Sequence, residues 1–494
     1  MVSLERLSEN RSFPNFSWAW PRGNTETLIR AAAWTDDEGA AEIFRRWMAD
    51  EDIEAVTYAE QRLLLAIAAR FPQDRVVVPH RARLTGVQRL LWSKSRLAIK
   101  AAEPAFEKFR AAGIDVLVFK GAARAAVNMN DLKGRIAHDV DILVKRQDFT
   151  GALKLLTDDG WQPSNGCSAV YCQAVAPSIR GLNLFRGKYG DLDLHQRILH
   201  QYTVLDEAES AVWSRAREVA FLGGKAFVAD PTDALVIAIA HGGLDGHNHS
   251  DWIVDSAALV AENEIDWELF LRQCRQYGIM PHAAIALTFL ASRLQSAIPA
   301  AVVETVISEG KASRPALFSA LFQSHPKRQH SVFGLAGRTI SKQWRLYRTR
   351  SEDRKASPYL SDIRLRPARK ANRAADEVPP DGEFSFPIPG DNPDAVSFTI
   401  ALDGAPVRRR YVFELNSGQR HIARFAYRHG GRRKALRLSG ACRLPGDLSA
   451  SDEPLVLSAR PSKCFAGGYG ADEEARYAAA PFQVTSFRVS RLGE

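Results

Sequence analysis

The sequence predicts a multidomain α+β protein. It has a mixed α/β core with helical N-terminal and C-terminal flanks, followed by a C-terminal antiparallel β-sandwich. Three observations predict this. Residues 24 to about 112 repeat apolar side chains at three- and four-residue spacing, the period of helices packed on a core. Between residues 114 and 198, short β-branched runs alternate with helical stretches, as in a sheet covered by helices. From residue 384 onward, about seven short alternating runs are separated by turn residues. The boundaries follow these changes of pattern: a helical region 1–112, an α/β core 113–220, a helical domain 221–349, a basic linker 350–383 and a β-sandwich 384–494.

Each element has its local reason. "YAEQRLLLAIAARF" (58–71) and "GVQRLLWSKSRLAIKAAEPAFEKFRAAG" (86–113) carry helical stripes, and Gly113 closes the second. "IDVLVFKG" (114–121) and "HDVDILV" (138–144) read as buried strands, with "AARAAVN" as a short helix between them. "FTGALKLLTDDGW" (149–161) is a helix, and "GDLDLHQRI" (190–198) is a third, alternating strand. Asp230-Pro231 opens the helix "TDALVIAIAHGG", and further helices run to about Tyr347. Residues 350–383, basic and then rich in Pro and Ala, have weak periodicity and read as a linker. Asp403-Gly404, Asn416-Ser417-Gly418 and Gly430-Gly431 punctuate the C-terminal strands.

The 494 residues, 46% apolar and 25% charged, suffice for two to four domains with sizeable cores. No run approaches the roughly 18 apolar residues of a membrane span. The N-terminal segment lacks the order of a signal peptide, so the reading is a cytoplasmic protein. Five cysteines (Cys167, Cys172, Cys274, Cys442 and Cys464), with no CxxC pair, argue against a disulfide framework or a zinc ribbon. Residues 327–373 hold 14 Lys and Arg against three acids, a net of 14 − 3 = +11 in a chain whose total is +9. That segment is a solvated basic stretch, or it meets nucleic acid, another anionic polymer or a membrane surface.

Chemistry concentrates in "KGRIAHDVDILVK" (133–145). Residues i and i+2 of a strand point to one face, so Asp139 and Asp141 project together between apolar neighbours. Two adjacent anions in a half-buried strand need neutralisation, and a divalent cation on oxygen ligands, Mg²⁺ or Mn²⁺, supplies it. Asp193, between Leu192 and Leu194, is the candidate third carboxylate, with Asp191 and His195 on the same face. "FKGAARA" (119–125) runs from strand into helix. There Gly121 permits close backbone approach to a phosphate, and Lys120 and Arg124 add positive charge. Neither a P-loop nor a GxGxxG occurs.

This ordered set resembles the DNA polymerase β-type nucleotidyltransferase superfamily, and more closely the bacterial uncharacterised nucleotidyltransferase family. The residues that carry the resemblance are Lys120-Gly121 after a strand, Arg135 before Asp139-Val140-Asp141-Ile142-Leu143-Val144, Asp193-Leu194-His195, and His241 with Trp252-Ile253-Val254-Asp255. It covers roughly residues 80 to 300. It implies a polymerase β-type core that moves an NMP from an NTP to an acceptor hydroxyl and releases pyrophosphate. Asp139 and Asp141 would ligate the metals holding the triphosphate. Asp193 would ligate the second metal and help activate the acceptor, and Gly121 would lie under the β- and γ-phosphates. Ala122 stands where the superfamily carries Ser or Gly.

Other residues admit two readings. Lys120 pairs with phosphate or solvates a strand end. Arg135 neutralises phosphate or bridges an acid. His195 contacts substrate or orients a carboxylate. His241, His247, His249, Asp245 and Asp251 form a metal cluster, a substrate contact or a capping loop. The acceptor is open: a small molecule, a sugar, a peptide or a protein. The rival function is a catalytically silent nucleotide-binding scaffold acting through its β-sandwich, whose partner is a protein or a glycan. A third is polynucleotide binding through residues 327–373.

Overall fold

A computed structural model of the chain describes residues 15–164, 166–199, 206–245, 250–312, 314–323, 331–340, 362–368, 383–388, 393–402, 410–429, 436–448, 452–460 and 482–490. The chain opens with helices α1 (Gly23–Ala33), α2 (Asp37–Asp50), α3 (Tyr58–Arg70) and α4 (Arg81–Ala111). Strand β1 (Leu117–Val118), helix α5 (Lys120–Val127) and strand β2 (Val140–Leu143) follow. Then come α6 (Phe149–Asp158), β3 (Gln162–Pro163), α7 (Ala169–Val175), β4 (Gly181–Arg186) and β5 (Gly190–His195). Helix α8 (Asp206–Arg215) leads into the hairpin β6 (Arg217–Phe221) and β7 (Gly224–Val228). Helices α9 (Pro231–Asp245), α10 (Asp251–Glu262), α11 (Trp267–Gln276), α12 (Met280–Arg293), α13 (Ala300–Ala312), α14 (Arg314–Gln323) and α15 (332–340) come next. Nine strands follow among the described residues. They are β8 (Ile363–Arg364), β9 (Arg366–Pro367), β10 (Glu383–Phe386), β11 (Ala395–Leu402), β12 (Arg410–Ser417), β13 (Arg420–Arg428), β14 (Leu436–Arg443), β15 (Leu455–Arg460) and β16 (Gln483–Ser490).

Contacts divide the chain into two compact units, residues 1–145 with 195–350, and residues 146–194 with 351–494. In the first, helix starts follow capping rules. Thr57 and Glu60 form a reciprocal capping box at α3, and Asp266 accepts the Leu269 N–H at α11. Its core gathers Phe16, Trp20, Phe44, Phe71, Phe270 and Phe289, each at most 1% exposed. Burying an aromatic of this size contributes roughly 2–3 kcal/mol. Strand β1 pairs antiparallel with β2 and parallel with β7, and β7 pairs antiparallel with β6. Within this unit the strands run in the order β2-β1-β7-β6.

In the second unit, β10-β15-β12-β13-β8 form one sheet and β16-β11-β14-β9 another. Their inner faces share one apolar core, where Phe398 of β11 meets Phe425 of β13 edge to face at 4.8 Å. Glu414 is fully buried on β12. The Ser168 N–H reaches both of its carboxylate oxygens at 3.3 and 3.2 Å, and the Arg424 and Arg460 guanidinium groups lie 3.6 and 3.5 Å away. A buried carboxylate persists only with such partners.

The antiparallel pairing expected at the C-terminus is present, with β8 added parallel to β13, and helices are found as expected up to residue 340; the expected continuation to Tyr347 lies outside the described residues. Several elements differ from the sequence reading. The strand expected over 114–121 is cut to Leu117–Val118, because Lys120 takes a left-handed φ of 56° and already begins α5. The β6–β7 hairpin and β4 were not anticipated. The hairpin turns at Leu222 (φ 47°) and Gly223 (φ 75°), the positive pair a tight primed turn requires. Strands β8 and β9 lie within the segment read as a linker. Among the described residues no helix is long and apolar enough to cross a membrane.

Candidate active site

Strand β2 carries Asp141 into a buried position, 2% exposed. Strand β5 carries half-buried Asp193 and buried His195. One ligand atom from each of Asp141, Asp193 and His195 lies within 4.8 Å of the other two. His195 Nε2 is 3.6 Å from Asp141 Oδ1. Its ring is fixed edge-on against Phe119 at 5.1 Å. Two carboxylates and an imidazole are a donor set for a divalent ion, and the burial of Asp141 demands a cation. Lys120 meets that demand: its ammonium donates to Asp141 Oδ1 at 2.5 Å.

Asp139 is placed differently. It precedes β2 by one residue and is exposed, and it is not one of the three clustered ligands. Its charge acts on Arg135 and on the Tyr58 phenol. Asp191 accepts from Asn183 of β4 at 2.8 Å.

Gly121 is required by packing against its own chain. A Cβ there would come within 2.9 Å of the Ile136 carbonyl oxygen, so the glycine lets α5 lie against the 134–138 loop. The same loop is held by Ser95, whose hydroxyl accepts the Ala137 N–H at 3.2 Å. Arg124 bridges Asp131 at 3.1 Å and Glu262 at 3.6 Å.

Arg135 is the centre of a buried ion network. Its Nε donates to both oxygens of Asp255 at 3.1 and 2.9 Å, its Nη1 to the Ile136 carbonyl at 3.0 Å, and it also pairs with Asp251. Arg62 of α3 binds the same Asp251 through Nε at 2.8 Å. Asp251 and Asp255, four apart on α10, share one helix face opposite these two arginines. Burial alone would lower the Arg135 pKa, but the two aspartates outweigh it and raise it. Of the two readings of Arg135, the structure provides the acid bridge.

Asp255 comes from the "WxxD" stretch, and its companions sit nearby. His241 Nε2 lies 2.9 Å from the Ile198 carbonyl, and Trp252 packs directly on Gly242, where a Cβ would strike the indole at 2.1 Å. Lys120, Ala234, Ile237, His241 and Trp252 help line a cavity of about 200 Å³ whose walls are mostly apolar. Sequence reasoning missed this cavity and the arginine–aspartate network. The one signal for the network was the i, i+4 pair of aspartates after Trp252. His247 and His249 lie outside the described residues, as does the Asp245 side chain. Cys464 lies outside them too. Cys167, Cys172 and Cys274 are buried free thiols, and Cys442 is half-buried.

Tyr58 stacks on His138 at 6.1 Å, beside Asp139. Burial, and then the positive charges of Arg62, Lys94 and Arg135, lower the His138 pKa from 6.5 to about 4. Burial and Arg424 bring His421 to about 4 as well. Between pH 6.5 and about 4 the unfolded chain binds these protons and the folded chain does not. Stability is therefore complete above pH 6.5 and falls as the pH drops through that window. Thermal midpoints measured from pH 7.5 down to 4.5 will decline, and His138→Gln will flatten the decline. A midpoint that rises on acidification contradicts the assignment.

Residues 52–295 match the family described as "Uncharacterised nucleotidyltransferase". No curated protein matches the chain. Among solved structures, an antigenic nucleotidyltransferase-like protein from Paracoccidioides brasiliensis is similar at 16% identity, over 42% of this chain and 96% of that one, with a TM-score of 0.29. That likeness is too slight to bear on fold or function. The motif residues Lys120-Gly121, Arg135, Asp139 to Val144, Asp193 to His195, His241 and Trp252 to Asp255 all fall within the matched segment. Over residues 52–295 the chain is therefore similar to the uncharacterised nucleotidyltransferase family.

Proposed function

We propose that the protein is a metal-dependent nucleotidyltransferase with a polymerase β-type core, moving an NMP from an NTP to an acceptor hydroxyl. One observation carries the reading: Asp141, Asp193 and His195 converge in a buried cluster that Lys120 partly neutralises. Asp141, Asp193 and His195 would hold the ion, and Asp139, exposed one residue before β2, would join them with substrate bound. Mg²⁺ suits the carboxylates, and the imidazole extends the preference to Mn²⁺. A divalent ion bound there neutralises the triphosphate and polarises the transferring phosphoryl group.

The chain's own residues supply the rest. Lys120 leaves Asp141 and turns its three donors to the phosphates. The apolar cavity beside it takes the nucleoside and excludes water from its faces. The acceptor oxygen attacks the α-phosphorus, the bond to the β-phosphate breaks, and pyrophosphate leaves. Asp193 accepts the acceptor's proton. Positioning and charge neutralisation dominate such a reaction.

A second reading has its own observation. The Lys120 ammonium on Asp141 is itself a permanent countercharge, which would suit a nucleotide-binding scaffold without turnover. Titration with Mn²⁺, followed by calorimetry with and without a non-hydrolysable NTP, tests the proposal. Wild-type protein binds the ion, and the Asp141→Asn/Asp193→Asn variant binds it more than about tenfold more weakly. Absence of Mn²⁺ binding under both conditions overturns the metal reading.

A further inference from the structure

Helix α15 (332–340) is built the wrong way round for a helix on a soluble domain. Such helices turn their apolar stripe inward. At 100° per residue, Val332, Phe333, Ala336 and Ile340 fall within one arc of about 100°. All four are exposed, with Phe333 at 87%, Val332 at 81% and Ile340 at 65%. Gly334, Gly337 and Arg338 are half-buried instead. The contact is tight: a Cβ on Gly337 would come within 2.4 Å of the Phe322 ring of α14. Phe322 in turn meets Phe318, itself 54% exposed, at 4.9 Å. Gly337 thus lets the helix sit down on its back and hold its apolar face out.

The charge around this face identifies what covers it. Residues 327–350 contain seven Lys and Arg and no acid. All seven lie in the helix or within ten residues of its ends in sequence. Nucleic acid would use the cations and the one ring, Phe333, but has no use for the aliphatic Val332, Ala336 and Ile340 beside it. An anionic lipid surface uses both. Apolar side chains enter the boundary between headgroups and acyl chains, and the flanking cations meet the phosphates.

We propose that α15 docks the protein reversibly on an anionic lipid surface, through Val332, Phe333, Ala336 and Ile340. The inference is independent of the transferase reading. The test is co-sedimentation of the full-length chain with phosphatidylcholine vesicles, with and without about 30 mol% phosphatidylserine. Protein sediments with the anionic vesicles only, and raising salt to about 0.5 M releases it, because screening shortens the attraction. The Val332→Ser/Phe333→Ser/Ile340→Ser variant replaces exposed side chains only. It keeps the wild-type thermal midpoint and loses about tenfold or more of its partitioning. No sedimentation with anionic vesicles overturns the proposal, as does a variant that sediments like wild type. Self-association through the face, seen as a dimer that this variant dissociates without any lipid binding, overturns it in favour of a second copy. Retarded RNA with no vesicle binding overturns it in favour of a polynucleotide.

Discussion

Asp141→Asn lowers nucleotidyl transfer by about 10³-fold or more, the scale on which lost charge stabilisation reads out in such sites. The effect is large because Asp141 is the most deeply buried member of the cluster and touches both Lys120 and the His195 ring. Stability will change little. Lys120, whose side chain is 26% exposed, can turn its ammonium to solvent once its partner is neutral. Folding and activity therefore separate in this variant, and thermal melts beside initial rates show it. Asp139→Asn also loses activity, by about 10²-fold, because its exposed carboxylate contributes only once substrate is bound. Wild-type rates in Asp141→Asn would exclude the cluster from the chemistry.

Arg135→Ala has the opposite profile. It destabilises the protein by about 3–5 kcal/mol, the scale for removing one partner of a buried ion pair. Two aspartates and two arginines balance in this network, and Asp251 keeps Arg62 when Arg135 is lost. Asp255, only 15% exposed, keeps nothing that the described network supplies. A loss of this size lowers the thermal midpoint by about 10 °C or more. Arg135→Lys rescues part of it, since an ammonium cannot reproduce the forked contact with Asp255. Arg135→Ala/Asp255→Ala recovers more than the sum of the single changes predicts, because the orphaned carboxylate is gone. An Arg135→Ala protein as stable as wild type would contradict a structural network at this position.

Local rules were legible in the sequence, and long-range pairings were not. The helical stripes of α3 and α4 were plain because amphipathic period and caps are local. Strand β2 was plain because "VDIL" is apolar around one charge. The β6–β7 hairpin escaped because its inner strand alternates weakly and its turn uses Leu222 where Asn or Gly is usual. In the site, Asp141, Asp193 and His195 were all singled out from their strands, since the alternation fixes which side chains share a face. That His195 joins the carboxylates, and that Lys120 reaches Asp141, depends on how the end of β1 meets the sheet. Arg135 shows the limit most sharply. Its partners lie 116 and 120 residues away, and a sequence offers no distance information over that range. Gly121 was read as a phosphate contact, but its local requirement comes from the Ile136 carbonyl.

The central claim is that the buried aspartate cluster moves a nucleotidyl group. The most direct measurement incubates purified protein with Mg²⁺ or Mn²⁺ and each of the four NTPs, labelled in parallel at the α- and the γ-phosphorus, with a cell lysate as the source of acceptor. The account predicts that α-label enters an acceptor, that γ-label leaves as pyrophosphate, and that both fail with Asp141→Asn. Retention of intact NTP on the protein, with no label transferred by any nucleotide or ion, would contradict it and leave a nucleotide-binding scaffold.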